Sequence, residues 1–390
     1  MKEFFRKFGS AYRLEREGSG GLDWILILSV VPLIAAGLVT MNSFAADGAL
    51  GASLVLKQFA WVVASGILFF FLSFFDFRFL RNRKISVILF STACVVLIIL
   101  GVFGKVVKGA QSWFDLGLFS FQPSDPIKLI LIIVLAKYFS RRHIEIANIR
   151  HILVSGAYAF IIFTLILVQP DFGSAIIVFL IWLGMVLVSG ISKKHILAVF
   201  LVGLVAFGGL WGFGFKEYQK DRIKTFIHPL ADIHGAGYNV YQSVIAVGSG
   251  EVLGKGVGYG TQSRLKFLPE YQTDFILAAF AEEWGFVGVI LLFILFAIVV
   301  WRIIANAIKG ASNFEILYGA GLAIFIISHV VINVGMNLGV LPVTGITLPF
   351  LSYGGTHVLT ELVGLGILMG MRRYNRVDHP DATLKEYTLQ

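Results

Sequence analysis

Asp274 closes the run LPEYQTDF, Leu268 to Phe275, where a polar segment meets an apolar stretch long enough to cross a bilayer. A carboxylate at the mouth of a membrane helix is costly to keep and marks a functional site by default. Such a group can take a proton from a hydroxyl nucleophile, or it can orient a divalent cation such as Mg²⁺ or Mn²⁺; the residues alone do not choose between these roles. Cations precede it along the chain: Arg222, Lys224, Lys255, Arg264 and Lys266. Guanidinium and ammonium groups match phosphate oxygens, so these side chains could clamp a phosphorylated, membrane-anchored headgroup, or merely solvate a loop. Eight glycines lie between Gly235 and Gly260, but GKGVGYG has no P-loop spacing and follows no strand, which excludes a Walker nucleotide site.

Two further groups of polar residues fall inside apolar runs. Asp125 and Lys128 stand three apart on one helix face, where they can neutralise each other, with Pro126 in the first turn, where its missing N–H costs nothing. His329, Asn333 and Asn337 recur every four residues, and Glu282, Glu283 and Glu361 lie in or near spans. Such groups face a bundle interior, and interhelical hydrogen bonding accounts for the Asn/His stripe. Glu282 is eight residues past Asp274, about 12 Å deeper along a helix, and is read as support and not as reaction centre. No cluster has structural-zinc spacing.

The elements that must carry these residues are membrane helices. Hydrophobic residues make up 57% of the 390 residues and charged ones 14%, with a mean hydropathy of +0.84, which excludes a soluble globule. Runs of about 20 apolar residues begin near Leu22, Ala52, Ile85, Ile127, His151, Phe172, His195, Asp274, Glu315 and Leu348. The fold class is therefore an all-α polytopic membrane protein of ten transmembrane helices. Alternate gaps carry Arg78, Arg81, Arg83 and Lys84, then Arg141, Arg142 and Arg150, Lys193 and Lys194, Arg302 and Lys309, and Arg372, Arg373 and Arg376. The positive-inside rule then places both termini in the cytoplasm and absorbs the net charge of +9, leaving no case for nucleic acid. A single domain spans 1–390, with cytoplasmic tails at 1–21 and 377–390, an outward loop at 104–124, and a large outward loop at 215–273 between helices 7 and 8. The first loop is expected to cap helix ends or re-enter the membrane, and the second to hold short amphipathic helices around Tyr238 to Val247. The first helix is retained and not cleaved. The single cysteine, Cys94, allows no internal disulfide.

The runs KGAQSWFDLGLFSFQPSDPIK, VQPDFGSA, GAGYNVYQSVIAVGSG, LGKGVGYGTQSRLKFLPEYQTDFILAAFAEEWGFVG and GVLPVTGITLPFLSYGG together resemble the SEDS (shape, elongation, division and sporulation) family over nearly the whole chain. The short tails and the GTQS loop are more similar to its RodA branch, for elongation, than to its FtsW branch, for division. The resemblance implies a peptidoglycan glycosyltransferase that polymerises lipid II at the outer face of the bacterial cytoplasmic membrane, with Asp274 essential. It further implies substrate-binding roles for Trp113, Asp171, Arg222, Lys255 and Glu270, and a supporting pair in Asp125 and Lys128. The implied partners are lipid II, a class B penicillin-binding protein and other elongation-complex proteins; no organic cofactor is implied, and a divalent cation is allowed. The chain departs from the family pattern at Asp125, one methylene shorter than the usual glutamate, which argues against a tight pair with Lys128. It departs also at Gln272, where histidine is usual, so no imidazole beside Asp274 is available as base. Gly250-Glu251 replaces a Gly-Gly, and His228 an aspartate. A flippase for a lipid-linked precursor and a non-catalytic scaffold are the competing classes. The polar weight in one outward loop, without internal repeats, favours chemistry at one membrane face over alternating access.

Overall fold

The computed structural model describes residues 21–43, 49–107, 110–115, 117, 120–140, 149–190, 236–265, 267–310 and 312–374, with scattered positions between 195 and 226. In chain order the helices are α1 (Trp24–Ser43), α2 (Ala49–Ser73), α3 (Arg83–Phe103), α4 (Ser124–Ser140), α5 (Ile149–Val168), α6 (Phe172–Val188), α7 (Ala236–Ser249), α8 (Thr261–Arg264), α9 (Ile276–Ile308), α10 (Asn313–Asn337) and α11 (Gly355–Tyr374). Six of them, α1, α2, α3, α5, α9 and α10, are long and apolar enough to cross a bilayer. The protein is thus a multi-pass membrane protein. Nine of the ten expected spans coincide with described helices; the seventh, near His195, is described only at scattered positions, and residues 1–20 and 377–390 of the tails lie outside the described residues.

α10 is the axis of the bundle, packing against α9, α6 and α4, while α11 lies along α2 and α1 along α9. Lipid is as apolar as leucine, so helices associate by close fit at small residues. Gly366 and Gly370 of α11 do this, facing the Phe69 and Leu72 backbones and the Phe75 carbonyl on the α2 side. Large apolar side chains such as Leu28, Leu56, Phe71 and Phe160 stay exposed on the outer faces, as expected where hydrocarbon is the solvent.

Two segments differ from expectation. The 104–124 stretch caps helix ends, Gln111 Nε2 donating to the Gly104 carbonyl at the end of α3 (2.9 Å), but does so from a small antiparallel sheet that was not expected: β1 (Lys105–Val107), β2 (Ala110–Asp115) and β3 (Ser120–Phe121), with Trp113 opposite Lys105 and Phe114 opposite Phe121. Strands of two to six residues give almost no periodic signal in sequence. The last span begins at Gly355 and not near Leu348. From Leu341 to Gly354 the chain is non-helical yet largely buried; Pro342 and Pro349 interrupt helix, and Gly345 (φ +73°) and Phe350 (φ +61°) are left-handed. The amphipathic helix expected over Tyr238 to Val247 is present as α7.

α9 is broken. Gly285 has φ 65° and ψ −169°, a conformation accessible essentially to glycine alone. The groups freed by the break are taken up by a strap, residues 251–256: Lys255 and Gly256 N–H donate to the carbonyls of Glu282 and Glu283 (both 3.0 Å), and Phe286 and Val287 N–H donate to those of Glu251 and Val252 (3.0 and 3.1 Å). In a bilayer core, irregular backbone is tolerated only where protein satisfies it in this way.

Candidate active site

Asp274 lies in the turn that leads into α9, two residues before the helix begins, half-buried. Its position is fixed through its backbone. Asn333 and Asn337, one turn apart on α10, both donate from Nδ2 to the Asp274 carbonyl (2.9 and 3.0 Å). Asn337 Oδ1 also accepts from Ala278 N–H in the first turn of α9 (3.1 Å), an N–H shared with the carbonyl of the N-cap residue Phe275 (3.1 Å). The stripe read as interhelical glue therefore does hold helices together, and what it grips is the Asp274 turn. His329, Asn333 and Asn337 are all buried.

Glu270, with φ +51°, forms the other side of the turn. Its carbonyl accepts from Thr273 and Phe275 N–H (3.1 and 3.3 Å), and its carboxylate from Thr273 Oγ1 (3.3 Å). Beneath, Leu268, Phe275, Ala278, Ala279 and Ala246 of α7 form a small apolar cluster, flanked by Tyr271. Burial pushes the Tyr271 phenol up from its ordinary range.

The 341–354 segment forms the facing wall. A methyl group on Gly345 would lie 3.6 Å from Asp274 Oδ2. Asn333 Nδ2 also donates to the Ile346 carbonyl (2.7 Å), Ser352 Oγ donates to the Thr273 carbonyl (2.7 Å), and Tyr353 N–H donates to that of Gln272 (2.7 Å). The turn and the segment are thus a single hydrogen-bonded unit.

Lys255 sits on the strap. Its Nζ lies 2.8 Å from Glu282 Oε1, and the same carboxylate accepts from Thr261 Oγ1 (3.1 Å) and Gln262 N–H (3.0 Å). Glu282 is fully buried while the Lys255 side chain keeps 29% exposure, so the lysine is anchored but still accessible. Glu282 acts as support, as its depth suggested. Glu283, on the next residue, accepts from Ser43 Oγ (2.5 Å) at the end of α1 and from Gly258 N–H (2.7 Å).

Asp171 is the N-cap of α6, its Oδ1 accepting from Ser174 N–H (3.0 Å) and its Oδ2 from Gln122 Nε2 (3.2 Å). Gly173, two residues on, packs against the Thr344 carbonyl and the Ile346 side chain, which brings this cap alongside the wall that faces Asp274. Trp113 stands half-buried on β2, whose Gln111 N–H donates to the Gln169 carbonyl just before the cap (3.1 Å). Arg222, Lys224 and Lys266 lie outside the described residues, and Arg264 is exposed on α8.

Asp125 and Lys128 pair at 2.9 Å, both almost fully buried. The shorter aspartate does not prevent a tight pair, because the i, i+3 spacing on α4 brings the ammonium back to it. Sequence reasoning missed what lies beyond. His357 Nδ1 is 3.6 Å from Asp125 Oδ1, its Nε2 is 2.9 Å from Glu361 Oε1, and its ring lies 4.6 Å from that of His329. The i, i+4 spacing of His357 and Glu361 was the available signal. Among the described residues no three His, Cys, Asp or Glu side chains converge as a metal-holding group.

The chain matches the FtsW/RodA/SpoVE cell cycle protein family over residues 22–377. It is 36% identical to the peptidoglycan glycosyltransferase MrdB of Escherichia coli K12 over 286 residues, 73% of this chain and 77% of that protein. It is also 36% identical to stage V sporulation protein E of Bacillus subtilis 168, over 91% and 98% of the two chains. Among solved structures it superposes on a chain of a peptidoglycan synthase complex that coordinates polymerization and crosslinking, with TM-score 0.77, 30% identity and coverage of 91% and 99%. It superposes likewise on the rod shape determining protein RodA of Thermus thermophilus, with TM-score 0.68, 29% identity and coverage of 91% and 98%. A polytopic bundle closing on a carboxylate turn, matched over almost its whole length, makes this chain a member of the FtsW/RodA/SpoVE family.

Proposed function

We propose that this protein is a peptidoglycan glycosyltransferase that extends glycan strands from lipid II at the outer face of the cytoplasmic membrane, with Asp274 at the reacting centre. The observation that carries the reading is the Asp274 turn, clamped by two buried asparagines in a chain whose relatives bear that activity's name. In the reaction a sugar 4-hydroxyl attacks the anomeric carbon of the second sugar. The new glycosidic bond forms as the bond to the polyprenyl pyrophosphate breaks, the pyrophosphate leaves with the electron pair, and the hydroxyl proton passes to a base. The Asp274 carboxylate takes that proton. One carboxylate suffices because the leaving group is already a phosphate, unlike the paired acids of glycoside hydrolysis. Lys255, anchored yet accessible, and Arg222 on the large loop offset the charge that develops on the pyrophosphate.

Mg²⁺ is commonly held by one or two carboxylates together with substrate phosphates and water, and not by an all-protein cage. A half-buried carboxylate at a turn suits that mode. In the alternative role, Asp274 would hold such a cation in place of taking the proton, and the cation when bound would supply charge stabilisation to the leaving pyrophosphate.

The basic segments support a topology of ten spans with both termini cytoplasmic and the Asp274 turn outward. A class B penicillin-binding protein would cross-link the strands this chain makes. The purified protein, alone and with its cognate penicillin-binding protein, is incubated with lipid II and the products are separated by length. Asp274→Ala and Asp274→Asn are expected to lose polymer formation by on the order of 10²-fold or more. Normal polymerisation by folded Asp274→Asn would sink the assignment, and lipid II movement across vesicles without any polymer would make the protein a flippase.

A further inference from the structure

The wall that faces Asp274 is held at its far end by a side chain that no substrate needs to touch. Phe350 is buried and left-handed, with φ +61°, a conformation disfavoured for a bulky residue unless its surroundings impose it. Its N–H donates to Glu361 Oε2 (3.0 Å). Glu361, on the second turn of α11, is completely buried, and its other oxygen is 2.9 Å from His357 Nε2. Within three residues of Phe350 the chain makes two grips on the Asp274 turn, Ser352 Oγ to the Thr273 carbonyl and Tyr353 N–H to the Gln272 carbonyl. Ser352 Oγ also accepts from Leu348 N–H (2.8 Å), closing the bend around Phe350.

We propose that Glu361, oriented by His357, is a positioning residue for Asp274: it fixes the left-handed bend at Phe350 and so sets where the segment holds the catalytic turn. The inference rests on the reading of Asp274 as the reacting carboxylate. It gives the buried chain Lys128, Asp125, His357, Glu361 a direction. The α4 ion pair orients His357 electrostatically, His357 orients Glu361, and Glu361 orients backbone. A buried carboxylate flanked by an imidazole and a backbone N–H has few alternative rotamers, which is what a site held within about 0.5 Å requires.

The test uses the full chain in complex with its cognate penicillin-binding protein and lipid II as substrate, measuring kcat and KM for Glu361→Leu, Glu361→Gln, Ser352→Ala and Asp274→Ala. A displaced base costs turnover more than binding. Glu361→Leu is expected to lower kcat by roughly 10- to 100-fold with KM changed less than about twofold. Glu361→Gln keeps an acceptor oxygen for the Phe350 N–H and should recover most of that loss. Ser352→Ala, which cuts one grip from the other side, should lower kcat by an intermediate factor. Folded Glu361→Leu with the wild-type kcat, or Glu361→Gln as impaired as Glu361→Leu, overturns the proposal. If Glu361→Leu does not fold, Ser352→Ala with unchanged kcat overturns it. Activity in Asp274→Ala would instead remove the reading of Asp274, a different result from any of these.

Discussion

At the scale of single residues, a carboxylate at a helix mouth is legible because charge is rare in an apolar chain, and Asp274 stands out for that reason. Lys255 was legible too, but its partner was not, since the two are 27 residues apart. Glu282 gathers the lysine, the Thr261 hydroxyl and the Gln262 N–H around one buried carboxylate. Ser263 N–H and Oγ lie against its other oxygen (both 3.4 Å), so removing the acceptor strips a partner from five donors, whereas removing the lysine leaves the carboxylate with hydrogen bonds. Glu282→Ala is therefore expected to destabilise the detergent-solubilised protein by on the order of 3 kcal/mol and Lys255→Ala by clearly less. Thermal unfolding of both single variants and the double variant measures this. Lys255→Ala should still slow polymerisation, because in the proposed reaction its ammonium offsets the charge on the leaving pyrophosphate. Glu361 was visible in sequence only as one more carboxylate within a span. Its bond to Phe350 depends on a left-handed bend that no residue type announces.

At the scale of elements, the helices were legible from apolar runs alone, and their starts agree within a few residues where charge or proline marks the end. The exceptions share a cause. The sheet of β1, β2 and β3 and the buried 341–354 segment are both stretches where backbone groups pair across distance and not along a helix, and hydropathy is blind to such pairing. The break in α9 is of the same kind: AEEWGFVG reads as continuous helix, yet Gly285 adopts φ 65° and ψ −169° and its Cα faces the Leu253–Gly254 backbone. Gly285→Ala meets both a forbidden conformation and a steric block. The expected outcome is a loss of about 3 kcal/mol or more of stability with polymerase activity abolished, checked by thermal unfolding and by product length. An unaltered protein would mean that the strap can retreat without consequence.

At the scale of the whole molecule, the end remote from Asp274 is closed by charge. Asp23, just before α1, accepts from Arg302 Nε (2.9 Å) and Asn306 Nδ2 (2.7 Å) near the end of α9, with Arg372 of α11 3.2 Å away. Arg81 pairs with Glu315 at the start of α10. Burial raises the Asp23 carboxyl, but the Arg302 and Asn306 hydrogen bonds outweigh it and hold the group below the usual carboxylate range. A depressed native pKa stabilises above the unfolded value and is lost as pH falls through the native one. Asp23→Asn is expected to melt well below the wild type at pH 7, with the gap narrowing as pH falls below about 4. A gap that does not change with pH would show that the carboxylate's charge contributes nothing to the clamp.

The strap across α9 bears on how the chain is made. A helix entering hydrocarbon with two carbonyls and two N–H groups open at its break would carry several kcal/mol of unmet polar cost for each group. The groups that close it belong to residues 251–256, which leave the ribosome before α9 does. Under the proposed topology the strap has crossed the membrane before α9 arrives, and the helix can be sealed on entry. Moving the strap to a later place in the chain would keep every contact of the finished protein while leaving α9 to enter the bilayer with its break unsealed.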